Sequence, residues 1–500
     1  MSRALSRRQL LRYAGVGAGL AAAVTACGSP ASAPTVVGSG GGGAAESLDP
    51  FISGTPSDYA RNWTVFDELF AISDGNPLPR LAVGVDQGDG AFTVRLRDGV
   101  TWHDGSPFVA DDVAYTLRYL ASPERPVPHE LTGFLDTAQV QVRDPRTITI
   151  PTLQPVGDPA MLFAGAGMRV IKDGATFAPG GTAVGTGPYR LGAFEPGRQA
   201  RLTRYDAHWD GAPFADEIVV ISLDDPSARV NAVRTGEADY AADVPFTVAR
   251  TGAGGDDLEV RSAGDTQRTS LGFVMNTTIR PFDDPRARRA VRMLVDRQAL
   301  VDRVLLGYGV TGNDLFGHGA RYFDDTVKAP ATDVAGAKAL LEQAGAVGAP
   351  LVVRSAEYEA GMNGSTELFV EQLKAAGLDA RAEIVGVQEY FAPDALAATH
   401  LLTFPLGPFP LDVTYARSAA FPTLALNDAE LKTAVATAFS TPDEAARAAA
   451  WKTAQAVMAD RGNWIVWGLA DTLAISRRNV AGIEVRDSAK YPYLGKAGLA

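Results

Sequence analysis

A chain of 500 residues is long enough for two or three domains rather than one core, and its 46% hydrophobic and 21% charged residues are the proportions of a soluble globular protein. A net charge of −12 excludes a phosphate-backbone partner and a broad contact with anionic lipid, since both need a basic surface. The single cysteine, Cys27, excludes disulfides within a monomer and thiolate metal clusters.

At the N-terminus, SRRQLLR (residues 6–12) reads as a twin-arginine export signal carried by Arg7 and Arg8. The Gly/Ala-rich run that follows, residues 13–26, is too short and too small-sided for a membrane span. VTAC at residues 24–27 matches the bacterial lipobox, and the match implies that Cys27 is lipidated and becomes the first residue of the mature chain. Several acyl chains give stable anchoring where one is marginal. The glycines at positions 15, 17 and 19 resemble a dinucleotide fingerprint, but no strand precedes them. Residues 28–45 are mostly Gly, Ser, Ala and Pro and are expected to form a flexible tether, with the fold beginning near Glu46.

Along the mature chain, SLDP (47–50) and FDELF (66–70) open the fold. Phe92, Val94 and Leu96 alternate with Thr93 and Arg95 as in a half-buried strand, Asp98-Gly99 turns, residues 100–102 return, and Asp104-Gly105 turns again. A helix then starts with Asp111 and Asp112 opposing the positive end of its dipole, and Val113, Leu117 and Leu120 mark one face. A second hairpin spans residues 140–150 around Asp144-Pro145. The glycines of GTGPYRL (185–191) suggest a phosphate cradle, yet Pro188 removes a backbone donor and no Lys-Ser/Thr follows; a tight turn between domains fits better. LTRYDAHW (202–209) follows, then a buried strand at 218–221 and a helix capped by Asp225, begun by Pro226 and ended by Gly236. GEAD (236–239), FVMNTTIRP (273–281), the helices from Pro285, from Asp296 and after Asp333, and a βαβ unit over residues 351–385 complete the order, with an apolar stretch at 464–475 returning the chain between lobes.

These segments, in this order, resemble the family 5 extracellular solute-binding proteins, the peptide/nickel-type receptors of ABC importers. The pattern is fitted by Arg97, Gly99, Val100, Trp102, Asp104, Gly105, Ala110, Asp112, Val113 and Tyr115, then by GTGPY, GEAD and NTTIRPFDD. Val109 stands where the family usually has a Ser or Thr N-cap, a loss of about 1 kcal/mol. The resemblance implies an α/β, two-lobed periplasmic-binding-protein type II (Venus-flytrap) fold with an extra subdomain in lobe I. Lobe I would cover residues 46–263, its extra subdomain 66–183, lobe II 264–463, and residues 464–500 would return to lobe I. It implies a monomeric receptor, lipid-anchored on the outer face of the cytoplasmic membrane. That receptor would close on a peptide or peptide-like solute and serve ABC permease and ATPase subunits without a cofactor.

Peptide-binding members hold the ligand amine with an aspartate in a segment that here corresponds to TFPLGPFPLDVTY (403–415), where Asp412 is the acid available and the family's tryptophan is missing. Phe404, Phe409 and Tyr415 of that segment suit an apolar or aromatic ligand. Arg354 resembles the position from which dipeptide receptors hold a carboxylate, and Asn276 and Trp467 complete the expected ligand contacts. The solute itself stays open among oligopeptide, dipeptide, metal chelate, opine and glycoside. As for an enzyme, Gly-x-Ser-x-Gly, a Walker lysine, His-Glu-x-x-His and a cysteine nucleophile are all absent, and the five histidines lack metal-ligand spacing. Carboxylates are plentiful enough that an exported hydrolase stands as the alternative.

Overall fold

The computed structural model describes residues 34–41, 43–52, 55–125, 129–177, 181–390, 392–420, 425–484 and 491–500. The export signal at Arg7 and Arg8 and the lipobox at Cys27 lie outside the described residues. No helix among the described residues is long and apolar enough to cross a membrane.

Two sheets form the two lobes. The first has seven strands in the order Leu258–Ser262, Leu473–Arg477, Tyr240–Ala242, Thr35–Ser39, Glu217–Ser222, Gln199–Arg204 and Tyr189–Glu195. The second has six, in the order Gly309–Thr311, Trp464–Ala470, Thr269–Met275, Leu401–Leu406, Pro350–Ser355 and Asp379–Ile384. The chain crosses between them twice, at residues 263–268 and 471–472. These crossings are tied to each other by Arg268, whose Nε donates to Asp471 Oδ1 at 2.7 Å, and by the Ala263 N–H, which donates to Thr472 O at 3.1 Å.

Two expected boundaries are corrected. Residues 35–39 are not tether: Thr35–Ser39 lies inside the first sheet, parallel to Glu217–Ser222 on one side and Tyr240–Ala242 on the other. TVVGS is a short β-branched run whose Val37 is fully buried, and the Gly/Ser-rich residues around it hide it from a composition reading. Trp464–Ala470 pairs with Thr269–Met275 and so belongs to lobe II, and the return to lobe I begins at Leu473–Arg477. WIVWGLA is buried along its whole length, and a strand covered on both faces carries no periodicity that would say which sheet it joins.

The extra subdomain is a four-stranded antiparallel sheet, Ala82–Gly88, Ala91–Leu96, Thr147–Pro151 and Gln141–Asp144, covered by the helix Ala110–Leu120. Phe92, Val94, Trp102, Val113, Leu117 and Ile148 are almost fully buried in a core of its own. Val109 gives the helix no side-chain cap. Asp112 reaches back instead: its Oδ2 accepts the Val109 N–H at 2.9 Å and the Trp102 indole N–H at 3.1 Å. Burial pushes this carboxyl above the usual carboxylate range in spite of those bonds. Val109→Thr supplies an acceptor for the first-turn amides, which Asp112 does not serve, and is expected to raise stability by about 1 kcal/mol in urea titration; an unchanged midpoint would mean that the added hydroxyl does not reach them.

The GTGPY segment uses its backbone donors internally, which closes the phosphate reading. The Gly185 N–H donates to His103 Nδ1 at 3.1 Å, the Gly187 N–H donates to Val65 O at 2.9 Å, and His103 Nε2 donates to Gly187 O at 2.9 Å. Burial pushes the His103 imidazole down to about 4, so it is neutral in this turn. A Cβ on Gly185 would fall 1.8 Å from Val65 O, so the close approach of these two backbones demands glycine.

The expected βαβ unit forms in parallel register, Pro350–Ser355 and Asp379–Ile384 flanking the helix Met362–Ala375. Its helix starts from Gly361 in a left-handed conformation (φ 91°).

Candidate functional site

The extra subdomain and lobe II face each other across a cavity of about 920 Å³, within the range of small-molecule sites. Phe134, Gln154 and Pro155 close it from the subdomain. Lobe II supplies the rest: Thr277 and Thr278 beyond one central strand, Asn463 and Trp464 at the start of its neighbour, Tyr415, and the face Leu431, Val435 and Phe439 of the helix Ala429–Ser440. The rings of the wall pack against one another. Phe316 meets Tyr415 edge-on at 4.8 Å and Trp464 at 5.3 Å, while Trp451 backs Tyr415 at 5.4 Å and Phe439 at 5.8 Å.

Beside it lies a second cavity, of about 40 Å³, enclosing Asp412 between Asp158 of the subdomain and Arg321 and Arg447 of lobe II. Phe134 and Phe439, stacked at 6.3 Å and 16°, border both cavities. Burial pushes the Asp412 carboxyl up to about 6, the negative charges of Asp158 and Glu130 push the same way, and the Val413 N–H at 3.0 Å opposes them. The sign follows: a proton held more tightly here than at an ordinary carboxyl, near 3.8, stabilises this arrangement below that value, and the contribution is lost as pH rises through about 6. Asp412→Asn is expected to flatten the pH dependence of the subdomain–lobe II contact between pH 4 and 7, read by small-angle scattering; an unaltered profile would place the titration elsewhere.

That contact is a polar clasp. The Gly157 N–H donates to Phe439 O at 2.5 Å, and Arg447 Nη1 donates to Gly157 O at 2.6 Å and to Thr441 O at 3.0 Å. Arg321 pairs with Asp158 at 3.4 Å and with Glu444 at 2.6 Å. Glu444 also holds Arg447 at 2.8 Å and accepts the Tyr322 hydroxyl at 2.9 Å.

Of the ligand contacts expected from sequence, Tyr415 lines the large cavity, and Phe404 supports it from behind, edge-on to Trp464 at 5.9 Å. Asp412 occupies the small cavity instead. Arg354 is corrected to a structural role: it is 4% exposed, its Nη1 donates to Glu383 Oε2 at 2.6 Å, and its Nη2 donates to Glu389 O at 2.9 Å. Parallel register sets Arg354 directly opposite Glu383, which engages Nη1 before any solute arrives. Asn276 is likewise cement. Its amide donates to Ala397 O at 3.0 Å and Thr399 O at 3.2 Å, and its Oδ1 accepts from Thr278. Trp467 is fully buried in the core that continues from lobe II toward the crossings. Phe409 packs over Gly407 outside both cavities. Sequence reasoning missed Phe134, Phe316, Phe439 and Trp464, which come from segments far apart in the chain and carry no shared motif.

Comparison with known proteins agrees with this architecture. The model for bacterial extracellular solute-binding proteins, family 5 (middle), matches residues 76–404. The glutathione-binding protein GsiB of Salmonella typhimurium is 27% identical over 339 residues, 65% of this chain, which thereby spans 64% of that relative's length. The GsiB of Escherichia coli K12 is 26% identical, over 69% of this chain and 67% of the relative. Among solved structures, NikA from Brucella suis with Fe(III)-EDTA superposes with a TM-score of 0.80 at 19% identity, over 93% of this chain and all of that one. DppA from Helicobacter pylori with the peptide STSA gives 0.76 at 17%, over 93% and 98%. AgaA from A. tumefacien R10 with agropinic acid gives 0.78 at 19%, over 94% and 100%. The chain belongs to the family 5 bacterial extracellular solute-binding proteins and has their two-lobed type II fold.

Proposed function

We propose that this chain is the extracytoplasmic, lipid-anchored receptor of an ABC importer, a monomer that captures a peptide or peptide-like solute between its lobes and delivers it to a membrane permease served by an ATPase subunit. The observation that carries the reading is the aromatic-walled cavity between the extra subdomain and lobe II, closed by parts that a hinge at the two crossings can separate. The ligands of its relatives and structural neighbours (glutathione, a tetrapeptide, a metal chelate, an opine) support the receptor class without choosing among them. A wall of Tyr415, Trp464, Phe316 and Phe439 favours a solute with an apolar or aromatic body.

The reading predicts binding without turnover. A solute at a hundred times its Kd stabilises the native state by about 2.7 kcal/mol and favours the closed form. Mass spectrometry of solute co-purified from native cells identifies the ligand, and Tyr415→Ala is expected to weaken its binding about tenfold, or about 1.4 kcal/mol, and also to lower the unliganded melting temperature, because the ring is buried against Phe316 and Trp451. Rapid conversion of that solute by the pure protein, with no stable complex, would favour the hydrolase. For the anchor, Cys27→Ser should leave the mature protein unacylated, and Lys at positions 7 and 8 should block export; an acylated Cys27→Ser product refutes the lipobox reading.

A further inference from the structure

The charge on the wall of the large cavity carries the functional reading one step further. Among its described lining residues the one charged side chain is Lys432, and no acid is present, in a chain with 58 acidic and 46 basic residues. Two acids next to Lys432 in sequence are engaged elsewhere: Arg461 Nε donates to Asp428 Oδ2 at 2.7 Å and its Nη2 to Glu430 Oε2 at 2.7 Å. Lys432 Nζ donates to the neutral Asn427 Oδ1 at 2.6 Å, and among the described residues it has no carboxylate partner. Asp412 cannot take the opposite role, because it sits in its own water-sized space beyond the stacked Phe134 and Phe439.

We infer that the solute is an amphipathic monoanion, an apolar or aromatic body ending in a single carboxylate that pairs with Lys432. This rests on the receptor reading above. The apolar body replaces water against Tyr415, Trp464 and Phe439, and the carboxylate meets the cation that the helix Ala429–Ser440 leaves uncompensated. A primary ammonium carried into this cavity would be desolvated with no carboxylate to receive it. A peptide-like solute held here would on the same ground keep any ammonium outside the cavity.

The test uses one body with four ends: 4-phenylbutyrate, 4-phenylbutanamide, 4-phenylbutylamine and the zwitterion 2-amino-4-phenylbutanoate. Calorimetric titration and thermal shift are run on wild type, Lys432→Gln and Tyr415→Ala. The carboxylate is expected to bind wild type about tenfold tighter than the amide, with the amine weakest. Lys432→Gln should erase the preference for carboxylate over amide while leaving the amide's affinity unchanged, and Tyr415→Ala should weaken both. Preference for the amine, the amide or the zwitterion, or a carboxylate preference that survives in Lys432→Gln, overturns the inference and leaves the receptor standing. If none of the four stabilises wild type, the inference fails; if peptide mixtures and cell extracts also yield no bound solute, the receptor reading fails with it.

Discussion

Asp314→Ala is expected to lower the stability of lobe II by about 3–5 kcal/mol, the cost of leaving buried cations without their counter-charge. Asp314 is fully buried and serves two guanidiniums at once. Arg292 Nε donates to its Oδ2 at 2.8 Å, and Arg297 Nη2 donates to Oδ1 at 2.6 Å and Oδ2 at 2.8 Å. The arginine side chains are themselves only 1% and 7% exposed, so water cannot replace the carboxylate. The residue also stands at φ 64°, a left-handed conformation that aspartate and asparagine tolerate better than alanine does. Asp314→Asn therefore keeps the backbone geometry and removes the charge alone, separating the two contributions. Urea unfolding followed by circular dichroism measures both. A loss under 1 kcal/mol for both variants would mean that the carbonyls of Ala459 and Asp460, which accept from Arg292, and those of Val295 and Pro330, which accept from Arg297, suffice to hold the pair.

Much of the fold was legible because it is written in local chemistry. Asp225 and Asp333 each accept a first-turn N–H of the helix they precede, and Gly236 ends one at φ 78°. The alternation of Phe92, Val94 and Leu96 became the buried face of a real strand. Failure came where a segment's fate depends on remote partners. TVVGS is a five-residue strand whose pairing partners lie about 200 residues away, and WIVWGLA has the same composition whichever sheet it joins. The site was less legible for the same reason. Arg354 looked available because Glu383, which neutralises it, lies on a parallel strand 29 residues on. Tyr415 was found through its segment, but the rings that make it a wall, Phe316, Phe439 and Trp464, come together only through tertiary packing. Asp412 was chosen for its charge, whereas its surroundings make it an acid that titrates near 6 inside an inter-lobe contact.

Gly157→Val is expected to hold the cleft open. An added Cβ at this position would stand 2.2 Å from Thr441 O, 2.8 Å from its carbonyl carbon and 3.1 Å from Arg447 Nη1. Two of these are backbone atoms of lobe II, so no rotamer change relieves the clash; the subdomain loop has to withdraw. Withdrawal breaks the Gly157 N–H bond to Phe439 O, the Arg447 bond to Gly157 O and the Asp158–Arg321 pair. At about 1 kcal/mol for the neutral bond and about 1.5–3 for the charged one, with little from the partly exposed ion pair, the loss is about 3 kcal/mol. That shifts a closed–open equilibrium roughly a hundredfold toward open, and a solute that binds the closed form loses affinity in proportion to the closed fraction lost. The subdomain core of Trp102, Phe92 and Ile148 does not include residue 157, so its own unfolding should be unaffected. Small-angle scattering should show a larger radius of gyration than wild type without solute, and calorimetry a raised Kd, by up to about a hundredfold. Wild-type compaction together with wild-type affinity in Gly157→Val would mean that the lobes close by a surface other than this clasp.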